Sequence, residues 1–135
     1  MMFDVDHFKK VNDVHGHQAG DHVLRIVAET MKACFRRTDV ICRYGGEEFL
    51  VILNGTDLKG SVFAAEKFRQ TIATTAIIFD GKQIPVTISG GLAQVKLGEE
   101  TTTAAIARAD AALYQSKESG RNQVSIHDGE AMRKA

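Results

Sequence analysis

Residues 39–53 read DVICRYGGEEFLVIL, two mainly apolar runs separated by a Gly-Gly-Glu-Glu tetrapeptide. Runs rich in β-branched and aromatic residues on either side of a glycine turn are typical of a β-hairpin. The pattern therefore predicts strands at 39–44 and 49–53. Because Gly45 and Gly46 carry no Cβ, a ligand can approach the backbone of this turn closely.

Helical periodicity occurs in three segments outside the hairpin. Apolar residues recur there at spacings of three and four, which places them on one face of a helix. Helices are predicted at 21–37, 57–75 and 101–119, with Asp57 near the start of the second and Gly120 as the stop of the third.

The remaining segments are predicted to form strands and loops. Residues 1–6 are predicted to form an apolar strand, and residues 7–20 a loop with one or two helical turns. Further strands are predicted at 76–79 and 83–89 around an Asp-Gly-Lys turn, at 92–95 after a loosening Gly90-Gly91, and at 123–126. Helices mixed with antiparallel pairs predict an α/β (α+β) fold, with one mixed, largely antiparallel sheet and helices packed on it.

Composition limits the number of domains and the kinds of partner. The chain has 135 residues with 17 Lys+Arg and 17 Asp+Glu, so its formal net charge is 0. This length fits one domain, predicted at 1–127, followed by a solvated tail at 128–135. A neutral chain has no general attraction to a nucleic-acid polymer or to an anionic membrane.

The cysteines and the hydropathy favour a cytoplasmic location. Cys34 and Cys42 form neither a CxxC motif nor a disulfide framework, which suits a reducing compartment. No apolar run approaches the roughly 20 residues that a membrane span requires, and the acidic amino terminus is unlike a signal peptide.

Carboxylates at turns are the strongest candidates for chemistry. Asp4 and Asp6 end the first strand, and the period of two directs both to the same side. If that strand and the hairpin are neighbours, Asp4 and Glu47 meet. Two carboxylates with phosphate oxygens suit Mg²⁺, and such sites serve phosphoryl transfer. The alternative is that these carboxylates are simply solvated.

Other metal motifs are weaker. An EF-hand loop requires an oxygen ligand two residues after Asp6, where Phe8 stands. Four of the five histidines lie within residues 7–22, but no HxxxH or HExxH spacing occurs, so surface histidines are favoured over zinc. Clustered cations at Lys9-Lys10 and at Lys117 with Arg121 are suited to a triphosphate, although a lysine at a helix end also complements the helix dipole.

Five ordered blocks carry a resemblance to a known family. They read DVDHFKKVND at 4–13, GHQAGD at 16–21, RYGGEEF at 43–49, ADAALY at 109–114 and KESGRN at 117–122. Together they resemble the GGDEF family of diguanylate cyclases in its GGEEF form. The resemblance implies a fold like that of nucleotide cyclases and polymerase palms. It also implies that two GTP become cyclic di-GMP and two pyrophosphates in a homodimer.

The resemblance further implies roles for individual residues. Mg²⁺, with Mn²⁺ as the alternative, would be held by Asp4, the Val5 carbonyl and Glu47. Glu47 would also help to deprotonate the ribose 3′-hydroxyl, with Glu48 close by, and Lys9 would stabilise charge in the transition state. The implied substrate-binding residues are Phe8, Lys9, Asn12, His17, Asp21, Gly45, Gly46, Lys117 and Arg121, with the guanine nucleotide assigned to Asn12, His17 and Asp21.

An inhibitory site is implied by the same resemblance. Asp39 precedes GGEEF by five residues, which is the family spacing for product inhibition. Arg36 and Asp39, an RxxD pair that means little alone, would then bind cyclic di-GMP, because arginine and aspartate suit phosphate and guanine. Lys67 and Arg69 are candidates for a further cation at this site.

One family feature is not found ahead of the first strand, namely a helix with a DxLTGLxNR-like segment that covers part of the sheet. We therefore expect exposed apolar surface. The intact hairpin favours a diguanylate cyclase. The missing segment and the RxxD pair favour the alternative, a non-catalytic module that binds GTP or cyclic di-GMP. A structural remnant without a ligand is the third possibility.

Overall fold

The computed structural model describes residues 1–98 and 101–135, in which helices and strands are interspersed. The elements are β1 Met2–Val5, α1 Phe8–His15, α2 His17–Cys34, β2 Val40–Arg43, β3 Glu48–Ile52, α3 Leu58–Thr74, β4 Ile78–Phe79, β5 Lys82–Gln83, β6 Ile88–Ala93, α4 Thr102–Glu118, β7 Val124–His127 and β8 Met132–Lys134. Within these residues, no helix is both long and apolar enough to cross a bilayer.

A mixed sheet organises the molecule, as predicted. Its strand order is β2-β3-β1-β6-β7-β8, and β4 and β5 form a separate two-stranded ribbon. Strand β1 pairs antiparallel with both β3 and β6, whereas β6 and β7 are parallel. The amino-terminal strand therefore lies in the middle of the sheet, beside the β2–β3 hairpin.

The two faces of the sheet are packed differently. Phe3 and Val5 of β1 join the main core, where the rings of Phe3, Phe35 and Phe68 lie 5.1–6.3 Å apart between centroids. Met2 packs against α4 on the other face. This alternation follows from the period of two in a strand, and it sends Asp4 to the same side as Met2.

Two predictions about glycine-containing segments were wrong. Residues 7–20 are mostly helical, because Gly16, at φ 89°, joins two helices rather than ending a loop. Gly90 and Gly91 do not loosen the chain but lie inside β6. A Cβ on Gly90 would lie 2.7 Å from the Phe3 ring, and one on Gly91 would overlap the backbone of α4. These glycines let the strand pack closely on both faces.

The segments around the second hairpin and the carboxyl end also differ from the predictions. The strand predicted at 83–89 is divided, since β5 ends at Gln83 and β6 begins at Ile88. Pro85, which has no N–H to donate, lies between them. Residues 128–135 were predicted as a solvated tail. Their side chains are mostly exposed, but the backbone of β8 pairs antiparallel with β7.

Candidate active site

A buried aspartate at the end of β1 forms the centre of the site. Asp4 is 3% exposed, and its Oδ2 accepts a hydrogen bond from Lys117 Nζ of α4 at 2.7 Å. Its other oxygen, Oδ1, is buried and has no hydrogen-bond partner among the described residues. Burial raises the pKa of the Asp4 carboxyl, and Lys117 opposes that shift. Because an unsatisfied buried oxygen is costly, this position is suited to a cation.

The glutamates of the hairpin lie beside this aspartate. Asp4 is opposite Glu48 in the β1–β3 ladder, and Val5 N donates to the Glu47 carbonyl at 3.3 Å. Burial raises the pKa of both glutamates, and the Asp4 carboxylate raises it further. The first strand and the hairpin are therefore neighbours, which was the condition for Asp4 and Glu47 to meet.

The turn that carries the glutamates is held by an arginine that sequence reasoning missed. The Arg43 guanidinium donates to the carbonyls of Gly45, at 3.2 Å, and Gly46, at 2.6 and 3.0 Å. A Cβ on Gly45 would lie 2.9 Å from Glu48 Oε2, so a larger residue there would displace the Glu48 carboxylate. Arg43 stood in the quoted family block, but no spacing rule indicated its contact with the turn.

The residues predicted to bind phosphates lie at two helix ends. Phe8 and Lys9 form the start of α1, where backbone N–H groups lack intrahelical partners and favour anions. Lys117 is in the last turn of α4, and Arg121 follows in a left-handed turn at φ 65°. Lys9 and Arg121 are exposed, whereas Lys117 is partly buried against Asp4.

The residues predicted to bind guanine lie on α1 and α2. Asn12 Oδ1 is buried and unpartnered within the described part of the chain. It lies so close to Gly20 that a Cβ there would overlap it. Asp21 follows Gly20 and is exposed, as is His17 at the start of α2. The structure therefore brings Asn12 to the α2 segment that contains Asp21.

Arg36 and Asp39 form a turn at the far end of β2 from the glycine hairpin. Arg36 N donates to Asp39 Oδ2 at 2.8 Å, and Asp39 N donates to the Arg36 carbonyl at 3.0 Å. Asp39 Oδ1 is buried without a partner in residues 1–98 and 101–135. Both residues line a cavity of about 220 Å³ together with Phe63 and Lys67. Lys67 therefore lies at the candidate inhibitory site.

Arg69 and Asp6 make contacts that the sequence did not indicate. Arg69 does not line the cavity beside Arg36. It donates instead to Asn122 Oδ1 at 2.7 Å. Asp6 is 4% exposed and accepts hydrogen bonds from Thr87, Ser89 and Asn122. These contacts join segments that are distant in sequence, so no local pattern could have revealed them.

An apolar groove lies between α4 and the sheet. It encloses about 570 Å³ and is lined by apolar side chains of β3, β6 and α4, among them Leu50, Leu92 and Ile106. Ile52 and Leu97 at its border are 47% and 91% exposed.

Histidines and cysteines do not assemble around a metal position. In the part of the chain that the structure describes, no group of three or more His, Cys, Asp or Glu side chains is arranged to hold a metal ion. The set predicted for Mg²⁺ is smaller, since it combines two carboxylates with the Val5 carbonyl. Mg²⁺ commonly takes its remaining ligands from water and phosphate oxygens, so the buried Asp4 Oδ1 beside Glu47 fits it.

A buried carboxylate next to glutamates on a glycine turn, with cations at two helix ends, is typical of a site for metal-assisted chemistry on nucleotide phosphates. The family model described as "Diguanylate cyclase, GGDEF domain" matches residues 1–123. This chain therefore belongs to the GGDEF domain family.

Known proteins resemble this chain in sequence and in fold. "Diguanylate cyclase A" of Treponema denticola is 45% identical over 126 residues, covering 93% of this chain and 34% of the relative. The crystal structure of diguanylate cyclase SiaD with its activator SiaC, from Pseudomonas aeruginosa, has a TM-score of 0.89 and 40% identity, covering 93% of this chain and 48% of that one.

A third similar protein is the GGDEF domain of DgcB from Caulobacter crescentus, solved in complex with c-di-GMP. It has a TM-score of 0.88 and 36% identity, covering 93% of this chain and 74% of that one. The chain spans about a third or less of the length of the first curated relatives.

Proposed function

We propose that this chain is a diguanylate cyclase domain that condenses two GTP into cyclic di-GMP and two pyrophosphates. The observation that carries the proposal is the buried Asp4 Oδ1, which has no hydrogen-bond partner in the described chain and lies beside Glu47 and Glu48. A binding surface for neutral ligands would not concentrate carboxylates whose pKa values are raised by burial and by neighbouring carboxylates. A divalent cation with a triphosphate would balance them.

In the proposed reaction, the chain orients the nucleotide and moves one proton. Glu47 accepts the proton of the ribose 3′-hydroxyl, whose oxygen attacks the α-phosphorus of the second GTP as pyrophosphate leaves. A raised carboxyl pKa makes Glu47 a stronger base. Mg²⁺ held by Asp4, Glu47 and the Val5 carbonyl, or Mn²⁺ in its place, would supply charge neutralisation at the phosphates.

The cations and amides of the site position the triphosphate. The α1 amides of Phe8 and Lys9 and the side chains of Lys9, Lys117 and Arg121 would hold phosphate oxygens, and Lys9 would also stabilise charge in the transition state. Asn12 and Asp21, with His17, would bind the guanine nucleotide, since an amide and a carboxylate match the acceptors and donors of a guanine edge.

The proposal includes a homodimer, product inhibition and a cytoplasmic location. One domain holds one GTP, so two domains must face each other to join two nucleotides. The Arg36–Asp39 turn and Lys67 border a cavity separated from the glycine hairpin by the four residues of β2, roughly 13 Å. Cyclic di-GMP bound there would act at a distance from the reacting groups. The two free thiols suit a reducing compartment.

The decisive experiment is a GTP turnover assay with Mg²⁺ at high protein concentration, with the product identified by chromatography. We expect cyclic di-GMP from the wild-type chain and none from Glu47→Gln. Binding of labelled cyclic di-GMP without any product from GTP would instead select the non-catalytic module. Absence of any effect of GTP with Mg²⁺ or of cyclic di-GMP on the melting temperature would contradict both functions.

The inhibitory site has its own test. Arg36→Ala should relieve inhibition by added cyclic di-GMP without lowering the initial rate, because Arg36 lies outside the proposed catalytic residues. Arg37→Ala, at the neighbouring exposed residue, is the matched control. Unchanged inhibition in Arg36→Ala would refute the assignment.

A further inference from the structure

The turn after α4 has an unusual backbone. Gly120, Arg121 and Asn122 have φ values of 108°, 65° and 45°, so three successive residues lie in the left-handed region. Residues other than glycine adopt the left-handed conformation at an energetic cost. Such a conformation persists only when contacts with the surrounding structure stabilise it. The residues that contact this turn are therefore the ones that hold Arg121 in its exposed position.

Asn122 is held from two directions. Its backbone N–H donates to Asp6 Oδ2 at 3.0 Å, and its side-chain Oδ1 accepts from Arg69 Nη1 at 2.7 Å. Asp6 is fixed in turn by the hydroxyls of Thr87 and Ser89, each at 2.7 Å. One contact thus joins the turn to the central sheet and the other joins it to α3.

The Arg69 side chain is also oriented by a contact within its own helix. Its Nε and Nη2 donate to the Glu66 carboxylate at 2.9–3.2 Å, one turn earlier on α3. The Arg69 side chain is only 16% exposed. A guanidinium fork held in this way loses little further freedom when it binds Asn122, and its charge strengthens that hydrogen bond.

We propose that Arg69 is a positioning residue for substrate phosphates. With Glu66 it holds Asn122, and Asn122 fixes the left-handed turn that presents Arg121. Arg69 acts through Arg121 and touches no substrate itself. This inference rests on the proposed function, because Arg121 is taken to bind the triphosphate.

The test compares Arg69→Gln with Arg25→Gln, an exposed arginine on α2, by calorimetric binding of a non-hydrolysable GTP analogue with Mg²⁺ and by steady-state kinetics. We expect Arg69→Gln to raise both the Kd of the analogue and the KM for GTP about tenfold, with kcat reduced less than twofold, and Arg25→Gln to match wild type. The Kd of inorganic pyrophosphate, which has no guanine, should rise in Arg69→Gln by the same factor as the Kd of the analogue. Unchanged Kd and KM in Arg69→Gln would overturn the inference.

A second variant separates positioning from backbone strain. Asn122→Gly keeps the left-handed backbone without a Cβ penalty but removes the acceptor for Arg69. It should weaken analogue binding as Arg69→Gln does, and wild-type affinity in it would overturn the inference.

The double variant Arg69→Gln/Arg121→Ala should bind no more weakly than Arg121→Ala alone, since Arg69 acts only through Arg121. Additive losses would overturn the inference while leaving the proposed function intact. If the wild-type chain binds neither the analogue nor pyrophosphate, the proposed function and the inference fail together.

Discussion

Two aspartates, two residues apart in the chain, occupy regions with opposite properties. Asp4 has one charged partner, Lys117 at 2.7 Å, and an oxygen for which the described residues supply no donor. Asp6 accepts three hydrogen bonds, from the hydroxyls of Thr87 and Ser89 and from a backbone amide. Both are nearly inaccessible to solvent, at 3% and 4% exposure.

The difference shows how one residue type serves two purposes in neighbouring positions. A carboxylate whose hydrogen bonds are all made inside the protein stabilises the fold, because its burial cost is offset. A buried carboxylate left with an unused oxygen is costly until a ligand completes it. We call these the saturated region, around Asp6, and the ligand-accepting region, around Asp4 and Glu47.

The largest expected effect comes from changing the ligand-accepting region. Glu47→Gln should lower turnover of GTP by at least about a hundredfold, since removal of a general base typically costs that much. The change is nearly isosteric and leaves Gly45 and Gly46 in the turn, so the thermal melt should stay close to wild type. Glu29→Gln, at an exposed position on α2, is the control. Retained turnover in Glu47→Gln would contradict the assignment of catalysis to the ligand-accepting region.

Replacing the two aspartates with asparagine should change the free energy of unfolding in different directions. Asp6→Asn should destabilise the fold by about 2 kcal/mol, because an amide cannot accept from all three donors and the Ser89 hydroxyl is fully buried. Asp4→Asn should be neutral or stabilising in metal-free buffer, because burial outweighs the contact with Lys117 and raises the pKa of that carboxyl. Urea denaturation with EDTA measures both. A similar loss of unfolding free energy in the two variants would contradict the distinction between the saturated and the ligand-accepting region.

Metal should stabilise only through the ligand-accepting region. Mg²⁺ at ten times its Kd should add about 1.4 kcal/mol to the free energy of unfolding of the wild-type chain. Asp4→Asn should show no such gain, because the carboxylate that fits the ion is missing. Asp13→Asn, at an exposed aspartate of α1, should behave as wild type. Thermal unfolding with and without Mg²⁺ gives the comparison, and an equal gain in Asp4→Asn would place the metal elsewhere.

The smallest effect concerns pH. Burial raises the pKa of Asp4, Glu47 and Glu48 in the folded chain, and repulsion by neighbouring carboxylates raises it further. The folded state then binds more protons than the unfolded state, so the free energy of unfolding should fall as pH rises from the ordinary carboxyl range through the raised values. Denaturation at several pH values in EDTA would show this slope, and the Asp4→Asn/Glu47→Gln variant should flatten it. An equally steep slope in that variant would contradict the assignment.

Local sequence signals predicted much of the fold. The hairpin at residues 39–53 and the helices near 57–75 and 101–119 were found from periodicity and turn residues. Asp57 caps α3 through the Gly60 amide at 2.8 Å, as its position suggested. The sequence failed at Gly90 and Gly91, where a turn signal competes with close packing. Only the packing of Phe3 and α4 on the two sides of β6 shows why glycine is needed there.

The sequence by itself determined the family, the two-carboxylate pattern and the residues offered for phosphate and guanine, because these depend on residue type and spacing. The tertiary structure decided which side chains meet. Lys117 reaches Asp4 across 113 residues, and Arg69 reaches Asn122 across 53. Such contacts are non-local consequences of sheet order and helix packing, so no window of sequence contains both partners. The same physical reason made Asp4 a ligand-accepting carboxylate and Asp6 a saturated one, although the sequence presents them alike.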